Sequence, residues 1–116
     1  MIITEKFYIG YSSTNRNLEL SDSAILKMFE DVATMHGEMA GDSVKTTSVR
    51  WFLTAYDVRI HKRPKLDERV ECRTWSHDMR GFLASREFEI YNADGELVIT
   101  AASNWARMDI KTGRPE

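Results

Sequence analysis

The sequence predicts a domain of the α+β class, with one long helix set against a curled antiparallel sheet. Three observations lead there. A single stretch, Ser21 to Gly41, keeps a helical period. The stretches after it read as strands, several about ten residues or longer where ~5–6 is usual. Proline and glycine turn signals separate them at Pro64, Gly81 and Asn92-Ala-Asp94-Gly95.

The helix comes first because the rest is arranged around it. Ser21 is the expected N-cap, and Asp22 places a carboxylate in the first turn, where the helix dipole favours it. Gly41 is the expected stop. Ile25, Met28, Phe29, Val32, His36 and Met39 share one face, with Lys27, Asp31, Thr34 and Glu38 opposite. At 1.5 Å per residue the helix runs roughly 30 Å.

The strands follow in order. Thr4 to Ser12 is aromatic and β-branched and reads as the first. A polar connection, 13–20, leads into the helix, and a loop, 42–48, leads out. Val49 to Ile60 is a long strand with Tyr56, Val58 and Ile60 on one face and Asp57, Arg59 and His61 on the other. Pro64 punctuates its end. Arg69 to Ser76 puts Val70, Cys72 and Thr74 on one face, and residues 77–81 turn the chain at Gly81. Phe82 to Tyr91 alternates through Phe82, Ala84, Phe88 and Ile90. After the Asn92–Gly95 hairpin signal, Glu96 to Met108 is the last long strand. The predicted order is a strand, the helix, then a four-strand antiparallel meander. Long strands curling round one helix describe the hot-dog fold, here a single domain over 1–116.

Composition bounds what such a domain can be. The chain has 116 residues, 42% of them hydrophobic, and three tryptophans, enough for a packed core. A net charge of −2 gives no global signal for nucleic acid. The middle third is nonetheless basic: residues 50–86 hold nine bases and five acids. Solvated strand faces account for this, and a docking patch for an acidic partner is the alternative. A single cysteine, Cys72, allows no internal disulfide and fits a reducing cytoplasm. The opening residues have no basic start and no apolar run, so neither a leader nor a membrane span is expected.

Specific residues then point to a family. They begin with Trp51, Leu53, Val58, Ile60 and Pro64, and continue with Glu68, Val70, Thr74-Trp75 and Arg86-x-Phe88. Asp94-Gly95-Glu96, Ala102-Ser103-x-Trp105 and Asp109-x-x-Thr112-x-Arg114-Pro115 complete the set. With these the chain resembles acyl-acyl carrier protein thioesterases, and the helix bearing His36 fits the first of that family's two hot-dog repeats. The resemblance implies a hydrolase releasing free fatty acid from acyl carrier protein or coenzyme A, and acyl binding between paired hot-dog units. It therefore implies a homodimer or higher oligomer if the unit stands alone. No cofactor is implied. The family's Asp-x-Asn-x-His motif belongs to the second repeat. The equivalent place here reads Ser13-Thr14-Asn15-Arg16-Asn17, where Asn15 alone matches. Asparagine has no proton to exchange near neutral pH, so the implied role is acyl binding and completion of the site.

The candidate residues each carry two readings. His36 is either a packed core histidine or a group lining the acyl pocket, its pKa shifted by burial. Glu30 and Asp31 are either a solvated face or the helix carboxylate that some single-domain hot-dog thioesterases use; Glu30, at the flank, is the better placed. Asn15 and Asn17 either close the turn or hydrogen-bond the thioester carbonyl. Met28, Val32, Met35 and Met39 are either core or the lining of an acyl tunnel. Cys72 packs as a small hydrophobe, and no histidine or cysteine spacing points to a metal. Two rivals to hydrolysis stand. One is a non-catalytic acyl-binding or dimerisation module. The other is a dehydratase on 3-hydroxyacyl thioesters, for which His36 and Glu30 come awkwardly from one helix.

Overall fold

A computed structural model of the chain describes residues 1–41 and 43–116, apart from the side chain of Asp78. Asp42, at the head of the expected loop 42–48, lies outside the described residues. The elements are β1 (Ile3–Tyr8), a 3-10 turn (Tyr11–Ser13), α1 (Asp22–Met39), β2 (Val49–Ile60), β3 (Arg69–Arg80), β4 (Leu83–Tyr91), β5 (Leu97–Asp109) and β6 (Arg114–Pro115). The sheet is antiparallel in the order β1-β3-β4-β5-β2, with the two-residue β6 on the end of β5.

The helix forms as its ends dictate. Ser21 Oγ accepts from the backbone N–H of Ala24 at 3.2 Å, capping the first turn. Arg63 ties this end down, donating to Asp22 at 2.6 Å and to the Leu20 carbonyl at 2.8 Å. At the other end Gly41 takes φ +84, a conformation open to glycine that ends the helix. Ala24, Ile25, Met28, Phe29, Val32 and His36 are buried. Met39 continues that stripe but stands 66% exposed, because the buried residues of the helix stop at His36.

Four expectations change. The first strand is shorter than Thr4–Ser12: β3 begins at Arg69, opposite Tyr8, so the chain has no strand partner beyond that point. Ile9 is instead held by backbone bonds to Asp67 and Glu68. β3 is longer than expected, running through the supposed turn to Arg80, because Leu83 and Ala84 pair with Arg80 and Met79. The turn is confined to Gly81, at φ +62, and Phe82. The chain also adds the short β6.

The largest correction concerns the meander. β3, β4 and β5 form one, but β2 does not join β3. It pairs with β5 along its length, from Val49–Asp109 to Ile60–Ile99. The connection 61–68 carries the chain across the sheet to β3, one strand in from the far edge, past the start of the helix. Leu20 N–H donates to the Pro64 carbonyl, and Leu66 N–H to that of Leu18. A proline-containing connection bonded to another loop cannot close a tight hairpin.

The sheet curls under the first half of the helix. Phe29 stacks on Phe88 with centroids 4.4 Å apart, and Tyr56 leans on Phe29 at 5.7 Å. Val70, Cys72 and Ile90 complete the core there on the faces the alternation predicts, joined by Ile99 of β5.

Candidate functional site

Beyond Val32 the packing changes. A cavity of about 350 Å³ opens beside the helix. Glu30, Ala33, Thr34 and Gly37 line it from α1, a stripe at i, i+3, i+4 and i+7 next to the core stripe. The sheet contributes Ser76, Ala84, Ser85 and Arg86, with Trp51 and Trp105 from β2 and β5. Small side chains on both walls leave the space. The register slips here as well: Ser76 pairs with Arg86 and Met79 with Ala84, so β3 carries two residues against one of β4. Such a bulge bends a strand away from even packing.

Arg86 organises the polar wall. Its Nη1 lies 3.1 Å from Thr74 Oγ1 and 2.9 Å from His36 Nδ1. Thr74 spends its own proton on the Glu87 carbonyl at 2.8 Å, so it accepts from Arg86. Trp105 Nε1 donates to Ser103 Oγ at 2.7 Å, and Ser103 donates to the Arg86 carbonyl at 2.8 Å. Backbone and side chain of Arg86 are both held.

That geometry fixes the state of His36. Arginine has no acceptor, so Nδ1 must accept and the ring proton sits on Nε2. Burial, then the Arg86 charge and the N-terminal ammonium, holds the pKa of His36 below its ordinary value. Burial also lowers that of Arg86, and no carboxylate lies within ion-pair distance of Arg86 among the described residues. His36 is thus a neutral ring able to donate from Nε2 and poorly suited to take a proton at Nδ1.

Of the other candidates, Glu30 reaches the cavity from an exposed position. Its charge, after burial, helps push the Tyr56 hydroxyl up to about 12. Asn15 is engaged elsewhere: its Oδ1 accepts from Asn17 N–H at 2.9 Å and Glu19 N–H at 3.2 Å, closing the loop before the helix. Asn17 is exposed over a separate shallow hollow with Leu18 and Lys65. Asp31 is exposed. None of Met28, Val32, Met35 and Met39 lines the cavity. Met28 and Val32 point into the sheet as core, while Met35 and Met39 are exposed. Burial pushes the Cys72 thiol up to about 12, which removes it as a thiolate nucleophile.

Arg86, Thr74, Ser103 and the two tryptophans were not singled out from the sequence as site residues. For Arg86 a signal existed: it falls between Ala84 and Phe88 in the inward register of its strand. Among the described residues no three of His, Cys, Asp or Glu come together to hold a metal, and no helix is long and apolar enough to cross a membrane.

With this geometry in view, similarity becomes informative. The model of the acyl-ACP thioesterase N-terminal domain matches residues 2–116. Among solved structures, an acyl-ACP thioesterase from Bacteroides thetaiotaomicron superposes with a TM-score of 0.89 at 21% identity, over 98% of this chain and 48% of that one. A putative oleoyl thioesterase from Lactobacillus plantarum gives 0.91 at 23%, over 99% and 46%. A DHNA-CoA thioesterase from Staphylococcus aureus gives 0.89 at 19%, over 99% and 79%. The chain therefore spans about half the length of the first two, and all three share its hot-dog fold. No curated protein sequence matches significantly.

Proposed function

Because the chain belongs to the acyl-ACP thioesterase N-terminal domain family, we propose that it is the acyl-binding hot-dog unit of a thioester hydrolase that releases fatty acid from acyl carrier protein. The cavity beside the second half of α1 carries this reading. Trp51, Trp105, Ala33 and Ala84 give it apolar walls, and its volume suits a single acyl chain. Burying that chain supplies binding energy at about 25 cal/mol per Å² of apolar surface.

Hydrolysis needs water to attack the thioester carbon, a base to take the proton and a donor for the developing oxyanion. Here His36 is suited to donate, and Glu30 is the titratable carboxylate at the rim. The base comes from a second hot-dog unit, either in the same polypeptide or in a second copy. The sheet supports such pairing: β2 is an edge strand, and Phe52 and Leu53 on it are exposed. The basic residues of 50–86 receive the acidic carrier, in a cytoplasmic setting.

A non-catalytic acyl-binding module is the second reading. It is favoured by the engagement of Asn15 Oδ1 in its own loop and of His36 Nδ1 with Arg86. Incubating the purified 116-residue chain with acyl-carrier and acyl-CoA substrates separates the two. Turnover lost in Glu30→Ala or His36→Ala supports a complete site. Acyl binding without turnover leaves the module and a hydrolase whose base lies in a second unit of the same polypeptide, and neither binding nor turnover rejects both.

A further inference from the structure

Arg86 makes less use of its charge than a half-buried guanidinium normally does. Taking a cation out of water is costly unless an anion or full hydrogen bonding offsets it. Both partners of Arg86, Thr74 Oγ1 and His36 Nδ1, are neutral and both sit on Nη1. Nη2 and Nε bond to no described residue. They are also absent from the buried atoms without a partner, which are Tyr56 Oη and Arg107 Nε, so solvent reaches them. That free edge is the one through which a guanidinium grips a carboxylate by two parallel N–H bonds. Arg86 and His36 both line the cavity, together with Trp51, Trp105, Ala33 and Ala84.

We propose that Arg86, with His36 beside it, forms a carboxylate subsite in this cavity, so that the ligand carries a carboxylate on an apolar chain. The inference rests on the acyl-binding reading and narrows it. The charges of the cavity agree: two guanidiniums, Arg50 and Arg86, face the single carboxylate of Glu30 among the described residues. Among the described residues Arg50 likewise commits only its Nη1, to the carbonyls of Thr47 and Val49; Arg86 is taken as the grip because the neighbour of its guanidinium is His36, a second donor on the same wall. Two sources share this chemistry: the fatty acid released by hydrolysis, and an acyl chain whose far end is itself a carboxylate.

The test is a titration of the 116-residue chain with decanoate, 1-decanol and the mono-S-ethyl thioester of decanedioic acid, followed by tryptophan fluorescence. Trp51 and Trp105 on the cavity wall are the reporters. Decanoate is expected to bind about tenfold or more tighter than decanol, and Arg86→Gln to bring the two within about twofold. A second measurement avoids the variant. Decanoate isotope-labelled at its carboxyl carbon should titrate at lower pH when bound to the unsubstituted chain than when free. If the half-thioester matches decanoate, the subsite takes the far end of a carboxylated acyl chain. If it binds about tenfold more weakly, the subsite takes the released acid. Equal binding of decanoate and decanol, or an unshifted carboxyl titration, overturns the subsite and leaves the acyl-binding reading standing. Binding by none of the three overturns both.

Discussion

The two halves of α1 lie on the same sheet and behave differently. From Ala24 to Val32 the helix presents Ile25, Met28 and Phe29 to Phe88, Val70 and Ile90, and that half is closed. From Ala33 onward it presents alanine and glycine beside Ala84, Ser85 and Ser76, and a cavity remains. Side-chain size and the β3 bulge between Ser76 and Met79 make the difference. On the proposed reading the first half holds the domain together and the second takes the acyl chain, so stability should not depend on filling it.

That division is most directly broken at Phe29. Phe29→Ala removes the ring stacked on Phe88 and leaves a void the rigid sheet cannot close. The expected loss is about 3–5 kcal/mol, read from urea unfolding. A loss below about 1 kcal/mol would mean that the closed half is not the anchor.

The converse change fills the open half. Ala84→Leu adds volume where space already exists, so unfolding should shift by less than about 1 kcal/mol. Decanol affinity should fall by about tenfold or more, as the added methylenes occupy the acyl path. Stability lost with binding intact would reverse the assignment of the two halves.

A smaller effect isolates the start of the closed half. Ser21→Ala removes the Oγ that accepts from Ala24 N–H, at an expected cost of about 1 kcal/mol. Acyl affinity should not change, because the cap lies at the end of the helix away from the cavity-lining residues.

The closed half was the more legible in the sequence, and the reason is physical. Caps, helical period and strand alternation are local, so Ser21, the stripe from Ile25 to His36 and the inward set Val70, Cys72 and Thr74 could be read directly. Strand partnership is not local. Nothing within residues 49–60 says that β2 pairs with β5, and the default of neighbour with neighbour gave the wrong edge. The cavity was harder still, since it arises from what two distant walls lack. The methionine stripe drew attention as a tunnel lining, yet the space lies one stripe round the helix, along Ala33 and Gly37. Arg86 falls in the inward register by alternation, but an arginine at such a position gives no local sign that it lines a cavity. His36 was flagged, but its protonation state depends on a partner fifty residues away.

The smallest effect tests that partnership. His36 has a folded-state pKa below its unfolded value of about 6.5, through burial and the Arg86 charge. Below pH 6.5 the unfolded chain therefore binds protons that the folded chain refuses. The stabilisation is complete above pH 6.5 and is lost as pH falls towards and through the lowered folded value. Carboxylates titrate in the same direction, so the informative quantity is a difference. Between pH 6.5 and 5, the wild-type chain should lose stability more steeply than His36→Gln, measured by urea unfolding. Equal slopes would mean that neither burial nor the Arg86 charge lowers the pKa of His36. Decanoate sharpens the comparison: an anion seated on Arg86 offsets the charge that repels a proton from His36. The wild-type slope should then flatten in its presence and stay steep with decanol, which fills the same space without the charge.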